Sequence, residues 1–166
     1  MKVIYAQQPL PKSIFLGGPS PRPWKPGGPV VASWRPRACV ILEKLKFDGT
    51  VLVPELDGVL PDDNKDAQVH WEWEGLNQAT IVVFWVPRDL TRVPGLEDGK
   101  LPGFTTNVEF GMLVASGKVV FGYPEGAPKM RYLEMLAERY GITVYGTLQE
   151  TLEEAVRRTK LPFGAR

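Results

Sequence analysis

The chain has 166 residues, and 20 Lys+Arg against 19 Asp+Glu give it a net charge of +1. This length predicts one domain, residues 1–166, with an N-terminal extension over 1–12 and a core that needs no disulfide, metal or cofactor. The near-neutral charge argues against nucleic acid as a partner, and one cysteine with one histidine argues against a disulfide or zinc site. No apolar run is long enough to span a membrane, so we expect a cytoplasmic protein that does not bind membranes.

Short apolar runs alternate with amphipathic segments along the chain. The predicted strands cover 13–17, 50–53, 80–86, 118–122 and 142–145, and helices begin near residues 33, 66, 106, 128 and 148. The strand at 80–86 is apolar throughout, which predicts a central strand covered on both faces. Short strand-helix-strand units connect by right-handed crossovers. We therefore predict an α/β fold, a three-layer, doubly wound, five-stranded parallel sheet with the flavodoxin-like order 2-1-3-4-5.

The helical periodicity also predicts which side chains are buried. On the second helix, Val69, Trp73 and Leu76 share one face, and on the third helix Val108, Met112 and Ala115 align. Cys39 and His70 are interpreted as packing residues, and Trp73 and Trp85 as core. Four tryptophans, Trp24, Trp34, Trp71 and Trp85, border the predicted crevice described next, where the alternative role is stacking on a planar base.

A ligand crevice is expected where the strand order reverses, at the carboxyl ends of strands one and three. There the chain has Gly17, Gly18 and Pro19, which open a stretch rich in glycine and proline, and the long connection 87–104, which has no clear period. The glycines allow close approach of a ligand, but the motif is not G-x-G-x-x-G and the prolines remove amide donors. Two irregular loops at this edge indicate a functional site.

Glu109 is the acidic residue that best fits a reactive role. It is predicted to lie in the first turn of the third helix, where backbone N–H groups and the helix dipole favour a carboxylate. Thr106 and Glu109 also fit a capping box, in which Glu109 only accepts a hydrogen bond from the backbone of Thr106. An ionised glutamate at a crevice can attack an electrophilic carbon, so both roles stay open.

Two arginines flank the same crevice. Ser33 and Arg35, at the start of the first helix, either bind an anion or cap the helix and face solvent. Arg88 follows six apolar residues, so it either forms a structural salt bridge or clamps a ligand. The candidate partners of Arg88 are the carboxylates Glu55, Glu72, Asp89 and Glu109.

Several motifs, taken in chain order, resemble the nucleoside 2-deoxyribosyltransferase-like family in its divergent bacterial branch. The resemblance extends from about residue 13 to 129 and comprises residues 14–19, 33–35, 54–55, Gln68-x-x-Trp71-Glu72, 84–88, 105–111 and 117–118. Its most specific part is the Glu-Phe-Gly element at 109–111 with the Gly-Lys that follows.

The resemblance implies an enzyme that cleaves the N-glycosidic bond of a (deoxy)nucleoside or nucleotide and holds the sugar on a glutamate before another base or water accepts it. Glu109 occupies the nucleophile's position. The family places one aspartate near the end of the central strand, and Asp89 is the candidate for it. It places a second aspartate a few residues before the nucleophile, where this chain has no acid, and Glu72 and Asn107 are named as substitutes. The substrate-binding candidates are Phe15, which replaces a tyrosine, and Gly17, Gly18, Pro19, Ser33, Arg35, Glu55, Glu72, Arg88, Thr106 and Asn107.

The resemblance leaves several properties open. Arg35 and Arg88 suit a substrate that carries a 5′-phosphate, as in the related nucleoside 5′-monophosphate N-glycosidases. The family's tendency to assemble implies a homo-oligomer. Two alternatives from other classes remain: a nucleotide-binding module that kept the crevice without turnover, and an interaction protein that uses the edge rich in tryptophan and proline.

Overall fold

A computed structural model describes residues 12–21, 31–55 and 65–161, and it contains one parallel sheet of five strands. The strands are β1 (Ser13–Gly17), β2 (Thr50–Leu52), β3 (Ile81–Trp85), β4 (Val119–Gly122) and β5 (Val144–Tyr145). Their spatial order is β2-β1-β3-β4-β5, and every neighbouring pair is parallel. The predicted fold class and strand order are confirmed. The predicted N-terminal extension lies outside the described residues, apart from Lys12.

Five helices cover the two faces of the sheet. They are α1 (Arg35–Lys44), α2 (Lys65–Gln78), α3 (Phe104–Leu113), α4 (Arg131–Arg139) and α5 (Leu148–Thr159). Side chains alternate along each strand, so Ile14 and Leu16 of β1 belong to the core on the side of α1 and α5, whereas Phe15 belongs to the core on the side of α2, α3 and α4. Ile81 to Trp85 of β3 are buried on both faces, as the unbroken apolar run predicted.

The start and the buried face of α3 differ from the prediction. The helix begins at Phe104 because Gly103 adopts a left-handed conformation with φ 63° and ends the preceding loop, so no capping box forms at Thr106. The buried face consists of Thr106, Phe110 and Leu113. The predicted face is wrong, since Val108 and Met112 are 63% and 67% exposed and Ala115 is also exposed.

Aromatic contacts determine which face of α3 packs against the sheet. The ring of Phe110 packs between those of Phe84 on β3 and Phe121 on β4, with centroids 5.5 and 4.7 Å away. These two strands are neighbours in the sheet, so their rings form a gap that one more aromatic ring fills. Burial of Phe110 therefore sets the rotation of α3 about its own axis.

Several packing predictions for α1 and α2 are also wrong. Val69 and Trp73 are exposed, while Leu76 is buried together with Gly75 and the following Ala79. Gly75 lies so close to β1 that a Cβ there would approach the Phe15 ring to 2.8 Å, which explains why this side of α2 faces the sheet. Two more residues predicted to pack are exposed: Cys39, and His70, whose ring meets that of Trp73 edge to face at 5.5 Å.

The two loops expected at the carboxyl edge meet there. The connection between β3 and α3 is irregular and contains two isolated antiparallel bridges, one of which joins Asp89 to Leu101. Gly103, at its end, lies so close to Pro19 that a Cβ on the glycine would approach the proline ring to 2.8 Å. Of the loop rich in glycine and proline, residues 22–30, including Trp24, lie outside the described residues.

Candidate active site

The turn after β1 lies at one side of the site. Side chains at the start of α1 donate hydrogen bonds to its backbone carbonyls. The Nε atom of Arg35 donates a hydrogen bond to the Leu16 carbonyl at 2.9 Å, and Nη2 donates to the Gly18 carbonyl at 2.8 Å. The indole N–H of Trp34 donates to the Pro19 carbonyl at 3.1 Å. Gly18 is required here because its φ is 144° and a Cβ would lie 2.1 Å from the Trp85 carbonyl oxygen.

Arg35 is 1% exposed and also binds the carboxylate of Glu55. Its Nη1 atom lies 2.5 Å from Glu55 Oε1 and 2.9 Å from the Ser20 hydroxyl. The hydroxyl of Ser33 donates to the same Glu55 oxygen at 2.8 Å and accepts the Arg35 backbone N–H at 3.1 Å. Arg35 thus does not face solvent as the second alternative required, although the Ser33 hydroxyl does accept a backbone N–H at the start of α1. Binding of an anion by this pair stays a prediction.

Two carboxylates, Glu72 on α2 and Glu109 on α3, lie on the same side of the sheet and interact electrostatically. Both side chains are partly buried, and the helices that carry them pack on the same hydrophobic cluster. Burial, and then the negative charge of Glu72, raise the pKa of Glu109 to about 7, against the opposing effect of Arg35. Burial also raises the pKa of Glu72, although its hydrogen bond from Gln68, at 2.9 Å, opposes that shift.

Glu109 is not in the first turn of its helix, contrary to the prediction. With α3 beginning at Phe104, Glu109 lies in the second turn, and the first turn contains no acidic residue. The helix N-terminus therefore does not hold this carboxylate as an anion. Its neighbours do the opposite, since burial and Glu72 favour the protonated form. The cation that favours the ionised form is Arg35, which reaches the same edge from the opposite layer of helices.

Arg88 does not form the salt bridge with a carboxylate that was one of its two predicted roles. Its side chain is 6% exposed and donates hydrogen bonds to the carbonyls of Pro102 and Lys129, both at 2.9 Å, and to Oδ1 of Asn107. Within the ranges 12–21, 31–55 and 65–161 it makes no ion pair. Since backbone carbonyls have no signature in the sequence, the prediction considered only acidic side chains.

Comparison with known protein families shows which family the chain belongs to. The family described as nucleoside 2-deoxyribosyltransferase like matches residues 11–127. The chain belongs to this nucleoside 2-deoxyribosyltransferase-like family. A comparison with curated proteins found no match. The matched segment includes β1 through β4 and every candidate site residue of this family member, whereas α4, β5 and α5 follow it.

The other candidate residues of this family member have different environments. Phe15 is fully buried beneath α2, with its ring centroid 6.3 Å from that of Trp71. Thr106 is buried on the core side of α3. Asp89 lies in a turn, where it accepts the Thr91 backbone N–H at 2.8 Å, and hydrogen bonds from the side chain and then the backbone of Thr91 lower the pKa of Asp89. Asp89 is not among the charges that set the pKa of Glu109.

Ser20, which accepts a hydrogen bond from Arg35, was not predicted and has no signal in the sequence. Trp34 was expected to border the crevice, and its indole binds the turn after β1. Gln68 was part of the family motif with Glu72, to which it donates a hydrogen bond from four residues earlier on the same helix face. In the described parts of the chain, no three histidine, cysteine, aspartate or glutamate side chains cluster to hold a metal, and no helix there is long and apolar enough to cross a membrane.

Proposed function

We propose that this protein cleaves the N-glycosidic bond of a (deoxy)nucleoside, with Glu109 as the nucleophile. The observation that carries the proposal is that two partly buried carboxylates, Glu72 and Glu109, interact electrostatically on one side of the sheet in a chain of this family. Two carboxylates that share a site do not both ionise readily, so the pair retains one proton near neutral pH. Retaining glycosyl transfer requires one ionised and one protonated carboxyl group.

Burial and the charge of Glu72 favour protonation of Glu109 in the resting pair, so the reactive form is the one in which Glu72 carries the proton and Glu109 is ionised. In the proposed first step, an oxygen of the Glu109 carboxylate attacks C1′ of the sugar. The C1′–O bond forms as the C1′–N bond to the base breaks, and the base leaves with the bonding electron pair and a proton from Glu72. In the second step, water or a second base attacks C1′ and displaces Glu109 as a carboxylate, while Glu72 recovers a proton from the attacking group.

Glu72 is a better proton donor for this reaction than Asp89, our candidate from the sequence. A general acid needs a pKa near the working pH, and burial raises the pKa of Glu72. The turn around Asp89 lowers the pKa of that carboxyl, which favours the ionised form. Asn107 is not available as a substitute either, because its side-chain oxygen accepts a hydrogen bond from Arg88.

An unphosphorylated nucleoside fits the described site better than a nucleoside 5′-monophosphate. The guanidinium of Arg35 binds Glu55 and two backbone carbonyls, and that of Arg88 binds two carbonyls and Asn107. Neither arginine is therefore placed to clamp a phosphate. The carboxylates nearest to Arg35 would also repel a dianion.

The test measures base release from a panel of (deoxy)nucleosides and their 5′-monophosphates. We expect Glu109→Ala and Glu109→Gln to lower the rate by about 10³-fold or more, whereas Glu138→Gln, on the exposed face of α4, should not change it. Added azide should restore base release to Glu109→Ala, which leaves room for an external nucleophile, but not to Glu109→Gln. Undiminished release from the Glu109 variants would show that the assignment is wrong.

Two further arms separate the remaining alternatives. Exchange of a second free base into the product indicates transfer, and its absence with continued base release indicates hydrolysis. Calorimetric binding of a nucleoside without any base release over long incubation would instead support the binding module.

We also propose that the protein is a homo-oligomer that covers α3. Outside the site residue Glu109, α3 has no charged side chain, and its outer face exposes Phe104, Val108 and Met112. Exposed large apolar side chains that lie together on one helix face are typical of a protein–protein interface. Light scattering should give a mass above that of one chain, and Val108→Glu should lower it. A monomer at all concentrations would refute this part of the proposal.

A further inference from the structure

Arg88 joins three separate segments around α3. Nε donates to the carbonyl of Pro102, in the connection that leads into α3, and Nη1 donates to the carbonyl of Lys129, in the loop before α4. Nη2 donates to the side chain of Asn107 on α3 itself. Each nitrogen of the guanidinium thus binds a different part of the chain, which is a geometry that the single nitrogen of a lysine cannot reproduce.

The contacts of Arg88 do not compensate its charge. The side chain is 6% exposed, and it forms no ion pair with any residue in the described parts of the chain. A buried charge without a counter-ion costs free energy, so a residue chosen only for stability at this position would be apolar. The directions of its three hydrogen bonds are what distinguish arginine here.

Asn107 and Glu109 lie on opposite flanks of the same helix. Each residue advances an α-helix by about 100°, so the two side chains point about 200° apart, on either side of the buried stripe formed by Thr106 and Phe110. Arg88 binds the flank that faces α4, and Glu109 points from the other flank towards Glu72 on α2. The rotation of α3 determines where the Glu109 carboxylate points.

A small rotation of α3 has a large effect at this distance from the helix axis. Side chains extend about 5–6 Å from the axis, so a rotation of about 20° moves a carboxylate by roughly 2 Å. A displacement of about 1 Å can lower a reaction rate by about 100-fold. The ring of Phe110 limits this rotation from the core side, and the bond between Arg88 and Asn107 limits it at the surface.

We propose that Arg88 is a positioning residue: through Asn107 it sets the rotation of α3 and therefore the direction of the Glu109 carboxylate. The kinetic consequence rests on the proposed function, whereas the geometric consequence does not. The charges that set the pKa of Glu109 are those of Glu72 and Arg35, and Arg88 is not among them. A change in the titration of Glu109 when Arg88 is altered therefore reports a change in position and not a lost charge.

The experiment compares Arg88→Lys, which keeps the charge, with Asn107→Leu, which removes the hydrogen bond without changing charge. Arg92→Lys is the control, since Arg92 lies exposed in the same connection. The Glu109 titration is followed by ¹³C NMR of labelled glutamate carboxyl carbons, assigned by the signal that Glu109→Gln lacks. Both test variants should move the pKa of Glu109 from about 7 towards the ordinary 4.5, and the control should not.

The kinetic arm uses base release from a nucleoside. Arg88→Lys and Asn107→Leu should each lower kcat by about 10- to 100-fold with little change in KM, and the double variant should be no worse than either. Asn107→Asp, which keeps the acceptor oxygen, should recover most of the loss. A raised KM with unchanged kcat, or an unchanged Glu109 titration in both variants, overturns the positioning role. If the wild type releases no base, the proposed function fails and the NMR arm still decides the role of Arg88.

Discussion

Replacing Glu109 by glutamine should change how the stability of the fold depends on pH. Burial and the charge of Glu72 raise the pKa of Glu109 to about 7 in the folded protein, from the ordinary value of 4.5 that applies to the unfolded chain. The folded state therefore binds this proton more tightly. The contribution to stability is fully present below pH 4.5 and is lost as the pH rises through about 7.

The size of the effect follows from the two pKa values. A difference of one pH unit corresponds to about 1.4 kcal/mol. Between pH 5 and pH 8, the titration of Glu109 should lower the free energy of unfolding of the wild-type protein by about 2.5 kcal/mol. The Glu109→Gln variant has no carboxyl group to titrate at this position. Its free energy of unfolding, relative to that of the wild type, should therefore rise by the same amount over this interval.

Urea denaturation of both proteins at several pH values between 5 and 8 measures this difference. Groups that do not interact with Glu109 cancel in the comparison, so the remaining pH dependence belongs to Glu109 and its coupling with Glu72. Glu138→Gln, at an exposed position of α4, is the control for exchanging a carboxylate for an amide. If the difference between Glu109→Gln and the wild type is the same at pH 5 and pH 8, the carboxylate is not in the environment described here.

Three further predictions concern the turn after β1, the packing of α3 and the proposed proton donor Glu72. Gly18→Ala places a Cβ 2.1 Å from a carbonyl oxygen of β3 and should lower the free energy of unfolding in urea titrations, unlike Gly146→Ala, where nothing lies within 4 Å. Phe110→Ala should cost about 3–5 kcal/mol in the same assay, against little for the exposed Tyr132→Ala. Glu72→Gln removes a like charge, so the acidic limb of the pH profile of kcat/KM should move to lower pH while kcat falls with the lost proton donor.

The order of the sheet could be predicted from the chain because the signals for it are local. An unbroken apolar strand at 81–85, short crossovers and loops rich in glycine and proline leave few alternative topologies. The same reasoning predicted a ligand crevice at the ends of β1 and β3, where Pro19 and Gly103 of the two loops come together. These conclusions depend only on hydrophobic pattern and on the conformational limits of glycine and proline.

The buried face of α3 could not be predicted in this way. Thr106, Phe110 and Leu113 have the same spacing of four and three residues as Val108, Met112 and Ala115, so periodicity does not distinguish the two faces. The choice was made by the gap between the rings of two neighbouring strands, which only Phe110 fills. That contact exists only once the sheet has formed.

The partners of the two buried arginines were decided in the same way. From sequence alone, Arg88 was expected to pair with a carboxylate or a ligand, and Arg35 to bind an anion or face solvent. The folded chain supplies mainly backbone carbonyls instead. Every residue carries such a carbonyl, and only the path of the backbone in space determines which ones face a guanidinium. The residue types of this protein thus determined its sheet, whereas tertiary packing decided which atoms its buried side chains contact.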